Sequence, residues 1–227
     1  MSGNISLIIP AAGEGARMKS NVRKPFLTLA GRPILHHTLD RFRDIKGISQ
    51  VILAVSGADY ANKDAFLVEM RCFGVTHIVQ GGATRTESVS NALAALVPGI
   101  EIVLIHDAVR PFVSHNVVHG VIEAAQKHGA AIAAAPVKDT VKRAKDGIIT
   151  ATIPRDSLYL AQTPQGFRRE VIVAAYRRAG SAEFTDDAAV VEAAGGQVAV
   201  VASTYDNFKI TTPDDLALAK AIFASRD

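Results

Sequence analysis

Residues 5–18 read Ile5-Ser6-Leu7-Ile8-Ile9-Pro10-Ala11-Ala12-Gly13-Glu14-Gly15-Ala16-Arg17-Met18. The first five form a short, β-branched apolar run stopped by Pro10, the pattern of a buried strand. The small residues that follow let backbone N–H groups come close to a chain of phosphates. Arg17 and, seven residues later, Lys24 then add two cations. Arg can grip phosphate oxygens in bidentate fashion, while Lys acts as a point charge. Other readings of this loop fit less well. A dinucleotide fingerprint needs a third glycine where Met18 stands, and Ser56-Gly57 rather than an acidic residue follows the next strand. A Walker A loop needs Gly-Lys-Ser/Thr at the helix start, which is absent. The plainest alternative is a glycine turn followed by surface cations.

Outward from this stretch, apolar runs of strand length alternate with segments of helical period. Strands are expected at Val51–Val55, Val75–Val79, Ile102–Ile105, Ala130–Ala135 and Gln197–Ala202. Helices are expected at Pro33–Phe42, Thr84–Leu96, Asn116–Lys127, Val171–Arg178, Asp186–Ala194 and Pro213–Phe223. Such alternation predicts an α/β fold: a Rossmann-like, mostly parallel twisted sheet with helices on both faces. Ligands of such sheets bind at the carboxyl ends of the strands. The stretch Val137–Arg155 breaks the rhythm. It is polar and β-rich, with a turn signal at Asp146-Gly147, so it reads as a projecting β-hairpin arm at about 137–155. No linker or repeat divides the chain, and residues 1–227 are expected to form one domain.

Composition narrows the class. The 227 residues carry 25 Lys+Arg against 22 Asp+Glu, and the basic residues are dispersed, which argues against a nucleic-acid partner. A single cysteine, Cys72, cannot form an internal disulfide. No apolar run reaches membrane-spanning length and the amino end lacks a secretory pattern, so a cytoplasmic protein with no membrane contact is expected. His36-His37 has no carboxylate or Cys partner at ligand spacing, so no protein-held zinc site is expected.

Further strings complete the picture: Gly81-Gly82 with Arg85 and Ser88; His106-Asp107-Ala108-Val109-Arg110-Pro111; Ala135-Pro136-Val137-Lys138-Asp139-Thr140; Gln162-Thr163-Pro164-Gln165; Thr185-Asp186-Asp187-Ala188; and Asp206-Asn207-Phe208-Lys209-Ile210-Thr211. The first loop resembles the signature of nucleotidyltransferases that activate sugars and polyols. Together the strings, in order from about residue 5 to the end, resemble the 2-C-methyl-D-erythritol 4-phosphate cytidylyltransferase family of the non-mevalonate isoprenoid pathway. The chain departs from the family pattern at Arg23-Lys24-Pro25, where Pro-Lys-Gln is usual, and at Ala83, where Asp often follows the glycine pair.

The resemblance implies a nucleotide-diphospho-sugar transferase type of fold and transfer of CMP from CTP to 2-C-methyl-D-erythritol 4-phosphate. A cytidylyltransferase for another polyol phosphate, such as ribitol 5-phosphate, is the nearest alternative. A nucleotide-binding regulatory subunit and a dehydrogenase are more distant ones. Pro10, Ala11, Ala12, Gly13 and Gly15 would follow the triphosphate, and Arg17 and Lys24 would stabilise the reacting phosphorus. Gly82 and Ser88 would meet the cytosine, and Asp107, Ala108 and Arg110 the nucleotide and polyol-phosphate region. Arg155 and Lys209 would hold the acceptor's phosphate, with Thr140 and Thr163 as hydroxyl partners. Mg²⁺ would be held mainly by the CTP phosphates rather than by the protein. The arm would clasp a second copy in a homodimer, with Thr140 reaching the neighbour's site. His106 is expected to be a satisfied structural histidine, Thr84 a helix cap, and the basic residues of the arm a solvated face.

Overall fold

The computed structural model describes residues 4–13 and 23–225. Its strands are β1 (Ile5–Pro10), β2 (Thr28–Leu29), β3 (Arg32–Pro33), β4 (Ile48–Val55), β5 (His77–Gln80), β6 (Ile102–Ile105), β7 (Ala130–Pro136), β8 (Val141–Lys145), β9 (Ile148–Ile153), β10 (Tyr159–Arg168) and β11 (Ala199–Ala202). Its α-helices are α1 (Ile34–Asp40), α2 (Gly57–Ala61), α3 (Lys63–Met70), α4 (Arg85–Ala94), α5 (His115–His128), α6 (Arg169–Ala179), α7 (Asp187–Ala193) and α8 (Pro213–Ala224).

Seven strands form the main sheet in the order β11-β7-β10-β6-β1-β4-β5. β1 lies near the middle, parallel to β4 and β6, and β4 is parallel to β5. The two-residue period of a strand sends alternate side chains of β1 to opposite faces. Ile5, Leu7 and Ile9 join the core beneath α1 and α5, with Leu35, Leu39, Val118 and Val121. Ile8 joins the opposite core with Val89 of α4, Ile172 of α6 and Val190 of α7. A strand buried on both faces is apolar throughout, which is why residues 5–9 read as an unbroken hydrophobic run. The mostly parallel sheet covered on both faces is therefore as the sequence predicts.

Two features depart from that reading. The first is β10, which was not foreseen and runs antiparallel between β6 and β7. Its Gln162, Thr163, Pro164 and Gln165 lack the apolar signature of a central strand, and proline normally argues against one. The register with β7 breaks between Ala161 and Gln165, which accommodates Pro164. At Gly166 a Cβ would lie 2.8 Å from Val121 Cγ1 and 3.1 Å from Leu104 Cδ2, so α5 packs directly onto the strand there. The second is the pair α2 and α3. These helices are short, and the apolar residues of α3 are spread around it rather than on one face, with Met70 alone buried, so they offer little periodicity to read.

The arm is a two-stranded antiparallel sheet, β8 with β9. Its turn places Asp146 at φ 51° and Gly147 at φ 79°. Two successive left-handed residues suit the twist of a tight hairpin, and Asp-Gly is a pair that tolerates them. Ile148 and Ile149 are 71% and 62% exposed, so the arm contributes little to the core.

Phe167 is fully buried among Ile8, Val103 and Ile172. Phe167→Ala is expected to lower unfolding stability by about 3–5 kcal/mol, seen as a lower urea midpoint at unchanged slope.

Candidate active site

The carboxyl ends of β1, β4, β5 and β6 point the same way, so the loops that follow them meet at one edge of the sheet. They line a cleft of about 850 Å³. Pro10, Ala11, Ala12 and Gly13 contribute from β1, Ser56 and Gly57 from β4, Gly81 to Arg85 from β5, and Asp107 and Ala108 from β6. Lys24 and Lys209 complete the wall. Gly15 and Arg17 lie outside the described residues.

The backbone explains the small residues. Ala11 N–H donates to Ala54 O at 2.8 Å, and Gly81 N–H donates to Val55 O at 2.7 Å, so both loops leave the sheet still tied to β4. A Cβ on Gly81 would lie 2.3 Å from the Cβ of Ala12. The two loops therefore touch at the cleft floor, and only a residue without a side chain fits. The Ser88 hydroxyl accepts from Gly82 N–H at 3.1 Å and donates to Thr84 O at 2.9 Å. It pins the glycine turn, and its own hydrogen is already engaged. Thr84 caps α4 by accepting from Glu87 N–H at 3.1 Å, as anticipated.

Lys24 sits in a 3₁₀ turn over Lys24–Phe26, anchored by the buried Pro25. Arg23, which the sequence reading did not single out as a site residue, also lines the cleft. Its Nη2 pairs with Asp59 at 2.6 Å, and its guanidinium lies 4.7 Å from the centre of the Phe26 ring. The departure at Arg23-Lys24-Pro25 thus places a paired cation beside Lys24.

Asp107 is the hub. It is 6% exposed and meets three cations. Arg85 Nε approaches Oδ1 at 3.3 Å, while Arg110 Nε at 3.2 Å and Lys209 Nζ at 3.0 Å approach Oδ2. Burial alone would raise its pKa, but Arg85, Lys209 and Arg110 together outweigh it and hold the carboxyl well below the usual range. Arg85 also reaches Asp187, which is fully buried, at 2.7 Å. Both stand in the family-resembling strings quoted above, but neither was given a role there. Their pairing spans 102 positions and leaves no local signal.

Residues around the hub set its geometry. Thr163 Oγ1 accepts from Asp107 N–H at 3.0 Å and lies 3.0 Å from His106 Nδ1. His106 Nε2 faces Arg110 O at 3.1 Å, an acceptor, so Nε2 carries the hydrogen and Nδ1 accepts from Thr163. His106 is fully buried, and burial lowers its pKa to about 4. It is the satisfied structural histidine expected. Arg110 Nη1 donates to Asn207 O at 2.7 Å, and Asn207 Nδ2 donates to Thr163 O at 2.8 Å. These bonds fasten the Lys209 segment to the hub.

A second hollow of about 250 Å³ adjoins the cleft and shares Arg85, Asp107 and Lys209 with it. Arg110 and Thr163 line this hollow. Thr140 and Arg155 are not brought here. Both are exposed near the base of the arm, where Arg155 Nη1 donates to Lys138 O. The described residues do not form a divalent-cation cage. Asp107 is the one carboxylate among the described lining of the larger cleft, and both its oxygens already face cations that would repel a metal ion.

Two outcomes follow from this geometry. Because His106 resists protonation when folded, the unfolded chain binds the extra proton between pH 6.5 and about 4. Stability should fall as pH drops through that window, by about one proton per molecule in slope, and His106→Gln should flatten that part of the profile. Gly81→Ala should lower unfolding stability by about 1–3 kcal/mol, read as a lower urea midpoint, because the floor of the cleft must open.

The comparisons agree with this architecture. A family model described as IspD, 2-C-methyl-D-erythritol 4-phosphate cytidylyltransferase, matches residues 5–225. A protein of that name from Bacillus mycoides is 42% identical over 218 residues, covering 95% of this chain and 96% of its own. One from Pelotomaculum thermopropionicum is 41% identical, covering 98% and 95%. The crystal structure of 4-diphosphocytidyl-2C-methyl-D-erythritol synthase from Anaerococcus prevotii superposes with a TM-score of 0.83 at 36% identity, covering 98% of this chain and 99% of that one. The Thermus thermophilus 2-C-methyl-D-erythritol 4-phosphate cytidylyltransferase gives a TM-score of 0.79 at 36% identity, covering 96% and 98%. With a glycine-floored cleft at the strand ends, a cation-ringed aspartate at its inner wall and this extent of similarity, the chain belongs to the 2-C-methyl-D-erythritol 4-phosphate cytidylyltransferase family.

Proposed function

We propose that the chain transfers CMP from CTP to 2-C-methyl-D-erythritol 4-phosphate, releasing pyrophosphate and 4-diphosphocytidyl-2-C-methyl-D-erythritol. The observation that carries this reading is the pair of adjoining cavities with a common cationic wall of Arg85 and Lys209 around Asp107. Two anionic substrates that must meet end to end need two compartments and positive charge where they join.

CTP lies in the larger cleft, its triphosphate along Pro10–Gly13, its cytosine toward Gly82 and Ser88. The acceptor phosphate lies in the smaller hollow against Lys209 and Arg110. A phosphate oxygen of the acceptor attacks the α-phosphorus of CTP in line; the new P–O bond forms as the bond to pyrophosphate breaks. The acceptor is already an anion near neutral pH, so no protein base is required. His106, held neutral and fully hydrogen-bonded, takes no part. Lys24 and Arg17 balance the charge that builds on the equatorial oxygens, and fixed charges in a desolvated site do so with little reorganisation. Lys209 and Arg110 supply orientation. Mg²⁺, held mainly by the phosphates of CTP rather than by the protein, would supply charge neutralisation there.

The arm extends this reading to a homodimer. Thr140 and Arg155 lie away from the hub of their own chain, which fits their serving the site of a second copy. The exposed Ile148 and Ile149 suit such a clasp. No described helix is long and apolar enough to cross a membrane. As a user of CTP, an intracellular nucleotide, the protein is placed in the cytoplasm by this reading.

A panel of CTP, ATP, GTP and UTP against 2-C-methyl-D-erythritol 4-phosphate and ribitol 5-phosphate, read by pyrophosphate release, tests the reaction. Release with CTP and the erythritol phosphate is expected to dominate; preference for ribitol 5-phosphate would reassign the acceptor. Lys24→Ala should lower kcat by about 10²-fold or more, the scale of losing one preorganised charge stabiliser. Normal turnover in that variant would remove Lys24 from the chemistry. Arg155→Ala should raise KM for the acceptor and leave KM for CTP unchanged.

A further inference from the structure

Arg85 forms part of the wall between the two cavities, and its environment is unusual. Its side chain is 25% exposed, yet it lies between two carboxylates that are almost or wholly shut off from water. Nε meets Asp107 Oδ1 at 3.3 Å and Nη2 meets Asp187 Oδ2 at 2.7 Å, leaving Nη1 without a hydrogen bond among the described residues. Asp187 is itself built in. The Tyr176 hydroxyl donates to its Oδ1 at 2.6 Å, and its backbone N–H donates to Gln165 Oε1 at 3.0 Å. Tyr176 comes from α6, Asp187 from the first turn of α7 and Gln165 from β10. Three consecutive elements, β10, α6 and α7, thus converge on the residue that holds the guanidinium.

A guanidinium beside a single carboxylate tends to bind it side-on through two nitrogens. Arg85 would then reach both oxygens of Asp107 and compete with Arg110 and Lys209 for Oδ2. Nη2 is instead engaged by Asp187 Oδ2, and Arg85 meets Asp107 through Nε. Oδ2 remains available to Arg110 and Lys209. The Tyr176 hydroxyl occupies Oδ1 of Asp187, which leaves Oδ2 to face Arg85.

We infer that Asp187 and Tyr176 are positioning residues of the nucleotide site: they set the orientation of Arg85, and through it the division of Asp107 between its three cations. The inference rests on the cytidylyl-transfer reading of the cleft. It gives the Thr185-Asp186-Asp187-Ala188 string a purpose beyond helix capping, since Asp186 is the residue that caps α7.

The test is a double-mutant cycle. Tyr176→Phe removes one hydroxyl and keeps the ring. The full chain is assayed for pyrophosphate release with CTP and 2-C-methyl-D-erythritol 4-phosphate, and CTP affinity is measured by calorimetry without acceptor. In the wild-type background Tyr176→Phe should weaken CTP binding and kcat/KM about fivefold, the size of one ordinary hydrogen bond's net contribution. In an Arg85→Gln background the same change should cost less than about twofold, because its effect passes through Arg85. A merely structural hydroxyl would cost the same factor in both backgrounds, and that result, or no effect in either, overturns the inference. Should Arg85→Gln not fold, Arg85→Lys, which keeps a cation for Asp187, serves as the background. Asp187→Asn should reproduce the Tyr176→Phe effect more strongly, with the same dependence on Arg85. An unmodified chain that binds CTP but does not turn over would overturn the cytidylyl-transfer reading and this inference with it, whereas normal wild-type turnover with equal factors sinks the inference alone.

Discussion

A buried carboxylate ringed by three cations organises this molecule's binding edge. Asp107 follows the central strand β6, and without Arg85, Arg110 and Lys209 its burial would cost several kcal/mol. The cations in turn could not gather at one place without it. Each is brought from a different part of the chain: α4, the loop after β6, and the segment after β11. The arrangement carries a net positive charge at the wall between the two cavities while leaving no charge unpaired. An anionic ligand therefore meets a field that is already assembled. This is the condition under which electrostatic stabilisation adds most to a reaction rate.

Around that hub the polar residues are occupied with structure. The Thr163 hydroxyl connects Asp107 N–H to His106, Ser88 secures the Gly82 turn, and Asn207 ties the Lys209 segment to β10. The site's precision comes from these backbone anchors more than from groups that could touch substrate directly. Arg85 combines both duties: two of its nitrogens are fixed by carboxylates, and the residue lines both cavities. The cleft floor shows the same economy of space, with Gly81 and Ala12 in contact so that loops from two strands can close around a ligand.

How much of this could be read from the sequence depends on the range of each interaction. The apolar run Ile5–Ile9, the small residues after it and the Asp-Gly turn of the arm are local, and they stand where their patterns place them. So does Asp107, because a residue just past a strand's carboxyl end lies at the binding edge whatever surrounds it. The antiparallel β10 was not legible: Gln162, Thr163 and Gln165 face polar partners inside the protein, so the strand lacks an apolar signature, and Pro164 counts against one. Arg23 and Arg85 were visible as cations but not as members of the site, since Asp59 and Asp187 reach them only through the fold. The sequence also marked the arm, whose Ile148 and Ile149 side chains stay exposed among the described residues.

The account stands on the triphosphate lying along the first loop and ending near Lys24, with its sugar and base toward the glycine pair after β5. A crystal structure of the protein soaked with CTP measures this most directly. The predicted result is density for the three phosphates between the Pro10–Gly13 backbone and Lys24, with the cytosine over Gly81-Gly82. Well-defined CTP bound elsewhere, with this loop empty and Lys24 turned to solvent, would contradict it.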